Sequence, residues 1–156
     1  MKQIRWKPYL LFLLLTEAVG ALAGFLTRRG VQNYHSVPKS ALTPPDWVFP
    51  VVWAILFLLM AIGAARVSLS DSPKRTAALT LFGVQLAANF LWSLVFFNLQ
   101  AFGFAFFWLI VLWVLILIMT LLFARVDRIA AWLQLPYLLW VIFAGYLNCL
   151  TWLLNR

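Results

Sequence analysis

Residues 45–65 read PDWVFPVVWAILFLLMAIGAA and contain one charged residue, Asp46. A helix that crosses a bilayer needs roughly 20 mostly apolar residues, so this stretch is long enough to do so. Pro44 and Pro45 suit the first turn of a helix, where a missing N–H costs little, and Asp46 complements the positive end of the helix dipole. Pro50 lies about one turn further on, where it can bend the helix. The stretch therefore predicts a transmembrane helix that begins at a proline-marked entrance.

The composition of the whole chain is that of a membrane protein. Of its 156 residues, 65% are hydrophobic and 10% are charged, whereas soluble domains are about half apolar and a quarter charged. The net charge of +8 does not indicate a nucleic-acid partner, because the basic residues form short clusters between apolar stretches. The single Cys149 lies in an apolar segment and offers neither an intramolecular disulfide nor a metal site.

Apolar runs separated by charges and turn signals predict an all-α fold, a single domain of five transmembrane helices over residues 1–156. The predicted spans cover residues 8–27, 45–65, 76–97, 102–124 and 129–154. The first is too long for a signal peptide and has no clear cleavage site, so we expect it to remain. Residues 28–44 form a polar loop, which we expect to be a lid over a pocket.

The basic residues are distributed unevenly between the two ends of the predicted spans. Most of the 12 Lys and Arg residues lie on the side of the N terminus, and the positive-inside rule places that side in the cytoplasm. We therefore expect an integral protein of the plasma membrane, with the long loop facing outward.

Polar residues in two spans recur at helical spacing. In the third span Gln85, Asn89 and Trp92 share one face with Phe96, so both carboxamides point inward. Such residues either bond one helix to another, contributing about 1 kcal/mol each, or line a pocket. We favour the helix contact for Gln85 and leave both readings open for Asn89. The fifth span repeats the pattern with four residues: Trp140, Ala144, Asn148 and Trp152.

Several tryptophans lie deep in the predicted spans. A buried indole N–H must find an acceptor, and either a polar ligand in a cavity or a carbonyl of a neighbouring helix can provide it. For any single indole the carbonyl is the more common solution. The deep tryptophans are Trp53, Trp92, Trp113 and Trp140. Phe49, Trp53, Phe57 and Met60 follow one another at helical spacing and predict an aromatic wall beneath the loop.

Glu17 places a carboxyl group within the first span. An acid at this depth is either a functional group or a neutral, hydrogen-bonded link between helices, and we favour the second reading because no basic residue lies at matching depth. Gly20 and Gly24 follow at a spacing that permits close helix approach, within the chain or across a dimer.

Four groups of residues together resemble the translocator protein family, also called tryptophan-rich sensory proteins, and the similarity covers nearly the whole sequence. Glu17-x-x-Gly20 in the first span is similar to the bacterial branch. The other groups are Pro44-Pro45-x-Trp47-Val48-Phe49 with Trp53; Gln85-Leu86-x-x-Asn89-x-x-Trp92-Ser93 with Phe96-Phe97; and Pro136-Tyr137-x-x-Trp140 with Ala144, Leu147-Asn148 and Trp152.

The resemblance implies a five-helix bundle, usually a homodimer in the lipid bilayer, with a pocket that takes tetrapyrroles such as protoporphyrin or haem. It also implies binding of benzodiazepine-type and isoquinoline carboxamide drugs. No cofactor is required, and no metal ligands are expected. The residues that the resemblance places at the ligand are Tyr34, Pro44, Trp53, Phe57, Asn89, Phe90, Trp140, Phe143, Ala144 and Leu147.

The sequence also departs from the family pattern. The loop motif W-Y-x-x-L-x-K-P keeps Tyr34 and Lys39 but has Asn33, Val37 and Ser40 at its other defined positions. Phe57 stands where many members have tyrosine. The cholesterol motif of the animal proteins does not match at the end of the fifth span, so sterol binding is not predicted.

The leading hypothesis is a membrane receptor or translocator for tetrapyrroles. The resemblance also implies an enzymatic alternative, light- and oxygen-dependent porphyrin breakdown, with Trp53 and Trp140 as the catalytic residues. Coupled transport would need a partner for Glu17, and a structural subunit would bind no ligand. The single histidine, His35, lies on the loop, where solvation is more common than ligation, so we expect metal-free porphyrin to bind.

Overall fold

The computed structural model describes residues 5–156, and this part of the chain is helical without strands. The helices are α1 (Trp6–Tyr34), α2 (Val48–Ser68), α3 (Arg75–Ser93), α4 (Phe102–Val126), α5 (Arg128–Trp132) and α6 (Leu135–Leu154). Five helical stretches in it are long and apolar enough to cross a membrane, the third being α3 with its continuation and the fifth being α5 with α6. The predicted all-α fold class is therefore confirmed.

The first helix is longer than predicted. α1 continues through Tyr34, whereas the sequence predicted a loop from residue 28. The segment after residue 27 contains no proline before Pro38, and Gly30 is tolerated because α1 passes close to another helix there. A Cβ on Gly30 would lie 2.5 Å from the carbonyl oxygen of Phe97. The connecting loop is therefore shorter and covers residues 35–47.

The fifth span is divided into two helices. Asp127 caps the start of α5, where its side chain accepts hydrogen bonds from the backbone N–H groups of Ile129 and Ala130 at 2.8 and 3.1 Å. The chain turns at Gln134, and Pro136 lies in the first turn of α6, where a residue without an N–H is tolerated. The sequence predicted one continuous span because the apolar pattern runs through this turn.

A π-helical turn, Leu94–Asn98, continues α3. In this turn the N–H of Leu99 donates to the carbonyl of Leu94, five residues earlier, at 3.1 Å. Gln100 then has a φ of 49°, a left-handed conformation that closes the short connection to α4. The turn packs against the end of α1, as the contact between Gly30 and Phe97 shows.

The packed core lies between α2, α3, α4 and α6, where Met60, Leu112, Ile116, Met119 and Phe123 are fully buried. In α1, by contrast, only Thr16, Thr27 and Gly30 are buried. A cavity lies between α1 and this core.

Candidate ligand-binding site

A cavity of about 610 Å³ lies between α1, α2, α3 and α6. It extends from Glu17 on α1 to the loop after Tyr34, where Thr43 and Asp46 also line it. At a rise of 1.5 Å per residue, the α1 side of the cavity is about 25 Å long. The volume falls in the range of about 300 to 1,000 Å³ that is typical of small-molecule sites.

One face of α1 forms the first wall. Six of its lining residues recur every three or four positions: Glu17, Gly20, Gly24, Thr27, Val31 and Tyr34. Val19, Ala21 and Ala23 also line the cavity. A Cβ on Gly20 would lie 2.6 Å from the ring of Phe57, whereas a Cβ on Gly24 would have no neighbour within 4 Å. Gly20 therefore permits close packing within the chain, and Gly24 leaves the cavity open. Both glycines also line the cavity.

Aromatic rings form the opposite wall. On α2 the ring centroids of Trp53 and Phe57 are 5.6 Å apart. Phe49 lies 5.9 Å from Trp140 on α6, edge to face. These four rings line the cavity and make one aromatic surface from α2 to α6. Met60 does not belong to this wall, since it is fully buried in the core.

The two carboxamides of α3 have different roles. Gln85 is fully buried and accepts a hydrogen bond from the Tyr137 hydroxyl at 2.8 Å, which confirms the predicted helix contact. Asn89 Nδ2 donates to the same hydroxyl oxygen at 2.6 Å, and Asn89 also lines the cavity. Asn89 therefore both bonds α3 to α6 and lines the cavity, which were the two alternatives that the sequence left open.

The deep tryptophans divide into two pairs. Trp113 Nε1 donates to the carbonyl of Leu138 at 3.2 Å, and Trp92 Nε1 donates to Asn148 Oδ1, also at 3.2 Å. Trp53 and Trp140 line the cavity, and within residues 5–156 no acceptor bonds to the indole N–H of either one. The cavity thus carries two indole donors that remain free for a ligand.

The loop over the cavity is held at several points. Lys39 Nζ donates to the carbonyls of Tyr34 and His35 at 2.7 and 3.2 Å, which satisfies the end of α1. His35 Nδ1 lies 3.3 Å from a carboxylate oxygen of Asp46, so the two ends of the loop meet. Asn155 Nδ2 donates to the carbonyl of Pro38 at 3.0 Å and ties the loop to the end of α6.

Most of the residues predicted at the ligand lie on the cavity wall. They are Tyr34, Trp53, Phe57, Asn89, Phe90, Trp140, Ala144 and Leu147. Phe143 lies beside the wall, with its ring 5.4 Å from that of Trp140, because it precedes Ala144 by about 100° around α6. Pro44 is also not part of the wall, although its neighbour Thr43 is. Tyr34 belongs to the last turn of α1 and not to the loop.

The sequence reading missed much of the α1 wall. Thr27 and Val31 line the cavity and continue the spacing of Glu17, Gly20 and Gly24. The sequence analysis did not follow this spacing further, because it predicted that the helix ends at residue 27. The favoured reading of Glu17 as a hydrogen-bonded link between helices is wrong for the described part of the chain, where its carboxyl has neither a hydrogen-bond partner nor an ion pair.

No three His, Cys, Asp or Glu residues come together as a metal site within residues 5–156. The only histidine near the cavity, His35, contacts Asp46. The wall therefore offers aromatic surface, indole donors, the carboxamides of Asn89 and Asn148, and the acids Glu17 and Asp46. Such a wall suits stacking and hydrogen bonding.

The fold and cavity together define a helical integral membrane protein with an aromatic site between its spans. Residues 12–153 match the model of the TspO/MBR family, and the chain belongs to this family. The resemblance seen in the sequence motifs is thereby confirmed.

Individual relatives extend over most of the chain. It is 38% identical over 137 residues to the tryptophan-rich protein TspO of Chlorobaculum tepidum, covering 86% of this chain and 87% of that protein. It is 38% identical to Protein CrtK of Rhodobacter capsulatus over 78% of each chain. The human translocator protein is 31% identical over 94% of this chain and 89% of its own length. Membership supports a receptor or translocator role in a membrane.

Proposed function

We propose that this protein binds tetrapyrroles, such as protoporphyrin or haem, in the cavity between α1 and the core, and acts as their membrane receptor or translocator. The observation that carries this proposal is the pair of free indole N–H groups on Trp53 and Trp140. A flat macrocycle stacks on the aromatic wall, and its polar edge accepts hydrogen bonds from the indoles. We place the carboxylate tails at the mouth, where Lys39 Nζ lies 4.5 Å from the centre of the Tyr34 ring.

The same features suit aromatic amide drugs of the isoquinoline carboxamide and benzodiazepine types. Their rings match the wall of Trp53, Phe57 and Trp140, and their carbonyl oxygens are acceptors for an indole N–H. We expect metal-free porphyrin to bind, since stacking and hydrogen bonding need no axial ligand. We place the protein in a bacterial plasma membrane, with a cytoplasmic N terminus and the loop as an outward lid.

A titration of the purified protein with metal-free protoporphyrin tests the proposal. We expect saturable quenching of tryptophan fluorescence, and an affinity about tenfold lower for Trp140→Phe, which removes a free donor. The matched control is Trp113→Phe, because the N–H of Trp113 is already bonded to Leu138. Equal affinities of the two variants would contradict the proposed role of the indole, and the absence of saturable binding would contradict the function.

A second candidate function is light- and oxygen-dependent porphyrin breakdown, with dioxygen as the oxidant. The observation that favours it is the position of Trp53 and Trp140 on the cavity wall, where an indole would lie against an excited pigment. The loaded protein is illuminated in oxygen and the porphyrin spectrum is followed. If Trp53→Phe and Trp140→Phe still bind porphyrin and form product at the normal rate, these residues are not catalytic.

We also propose a homodimer that uses the outward face of α4. Six exposed apolar residues repeat along it: Phe104, Phe107, Val111, Val114, Ile118 and Leu121. Disulfide trapping in membranes tests this contact, with Val114→Cys in a Cys149→Ser background. Ile142→Cys on the exposed face of α6 is the control. Crosslinking at neither position would leave the α4 face to lipid and contradict the dimer.

A further inference from the structure

The charge on the cavity wall has the opposite sign to that of the chain. The protein carries 12 Lys and Arg residues against 4 acidic ones. Among the described residues, however, the wall includes Glu17 and Asp46 and neither lysine nor arginine. Asp46 lies at the mouth and contacts His35 at 3.3 Å. Glu17 is therefore the one acid on the wall, within the described chain, whose charge has no partner.

Glu17 lies at the inner end of the cavity. The hydroxyl of Thr16 donates to the carbonyl of Phe57 at 3.0 Å and joins α1 to α2 beside it. At 1.5 Å per residue, Glu17 is about 25 Å along α1 from Tyr34, which marks the mouth. An unpaired carboxyl at this depth is costly, and a ligand that neutralises it recovers that cost.

Aromatic residues of α2 lie beside the turn of α1 that carries Glu17. Gly20, one turn after Glu17 on the same face of α1, contacts the Phe57 ring so closely that a Cβ would lie 2.6 Å from it. The ring of Trp53 is 5.6 Å from that of Phe57 and tilted by 33°. The faces of aromatic rings attract cations, most strongly where water is excluded. The acid of α1 and the two rings of α2 therefore make a site for positive charge.

We propose that the inner end of the cavity binds a hydrophobic organic cation, whose charge lies between the Glu17 carboxylate and the rings of Trp53 and Phe57. The apolar body of such a cation fills the remaining aromatic cavity. An inorganic cation is not suited to the site, because Glu17 is the only carboxylate there and the described residues form no metal-binding group. This inference is independent of tetrapyrrole binding, and either can fail alone.

Two probes of the same shape and different charge test the inference. N-methyl-4-phenylpyridinium is a planar cation, and 4-methylbiphenyl is its neutral counterpart. Both are titrated into the full chain in lipid nanodiscs, with empty nanodiscs to correct for partition into lipid. We expect the wild-type protein to bind the cation at least about tenfold more tightly than the neutral probe. Equal affinities would overturn the proposal.

Variants of Glu17 assign the selectivity to one residue. Glu17→Gln should lose the preference for the cation and keep its affinity for the neutral probe, whereas Glu17→Asp should retain a preference. Thr27→Val is the matched control, because Thr27 lies on the same wall and its hydroxyl is bonded to the carbonyl of Ala23 at 2.7 Å. Persistence of the full preference in Glu17→Gln would overturn the proposal.

The remaining outcomes are also decisive. If Glu17→Gln binds neither probe, the two titrations are repeated with Trp53→Leu. In that variant the affinity for the cation should fall at least about threefold more than the affinity for the neutral probe. Equal losses would contradict a cation site against the ring. Protoporphyrin is titrated in parallel. A wild-type protein that selects the cation but does not bind protoporphyrin contradicts only the tetrapyrrole proposal, and the reverse result contradicts only the cation site.

Discussion

Asn89 Nδ2 lies 2.6 Å from the hydroxyl oxygen of Tyr137, so a residue of the cavity wall is fixed by a side chain in the core. The hydroxyl in turn donates to Gln85 at 2.8 Å, and α3 is thereby bonded to α6 at two points. The orientation of Asn89 in the cavity thus depends on Tyr137, which does not itself line the cavity.

We expect Tyr137→Phe to destabilise the protein by about 1–3 kcal/mol, because it leaves buried groups of Asn89 and Gln85 without a partner. Thermal unfolding in detergent measures the change. Ligand affinity should also fall, since Asn89 is no longer held. Tyr146→Phe is the control: Tyr146 is 44% exposed, and its hydroxyl bonds to no described residue. A similar loss of stability in both variants would show that the hydrogen bonds of Tyr137 are not the cause of that loss.

Two glycines of α1 should respond oppositely to the same substitution. Gly30→Ala places a methyl group 2.5 Å from the carbonyl oxygen of Phe97, and a backbone atom cannot move aside cheaply. We expect a loss of about 1–3 kcal/mol in unfolding free energy. Gly24→Ala meets nothing within 4 Å and should stabilise α1 by up to about 1 kcal/mol through helix propensity. Denaturation of both proteins in the same detergent provides the comparison, and equal effects would contradict the observed packing.

The capping of α5 can be separated from its ion pair. Asp127 bonds the first N–H groups of α5 and also lies 2.9 Å from Arg66. Asp127→Ala removes both interactions and should cost more than about 1 kcal/mol. Asp127→Asn keeps a capping oxygen and removes the charge, so it should cost less. The two melting temperatures are compared, and an equal drop for Asp127→Asn and Asp127→Ala would mean that the loss comes from the ion pair and not from the cap.

The loop should open more often when its attachment to α6 is removed. Asn155→Ala deletes the hydrogen bond to the carbonyl of Pro38, and we expect faster amide exchange in residues 35–47 with a several-fold faster release of bound ligand. Ser36→Ala is a control within the loop, since the hydroxyl of Ser36 bonds only to the carbonyl of Asn33, three residues earlier. Unchanged exchange in Asn155→Ala would show that the other contacts suffice to hold the loop.

The sequence predicted the spans well because each consists of about 20 apolar residues between charges, and lipid requires helices in such stretches. It placed most of the cavity residues through motifs, as Trp53, Asn89 and Trp140 illustrate. The end of α1 was missed because Arg28 and Arg29 are polar, although no proline stops the helix there. The role of Glu17 was misread, since a partner for its carboxyl is a matter of tertiary contacts that spacing does not encode.

The π-helical turn at Leu94–Asn98 has a consequence for the mouth of the cavity. In an α-helix two adjacent side chains diverge by about 100°, whereas the wider π turn reduces this angle. Phe96 and Phe97 accordingly both reach Tyr34, with ring centroids 5.2 and 5.5 Å from it. Deleting one residue from this turn would restore ordinary winding, swing one phenyl group outward and shift the register of every later helix against α1. The additional residue of the π turn therefore lets Phe96 and Phe97, which are adjacent in sequence, both pack against Tyr34.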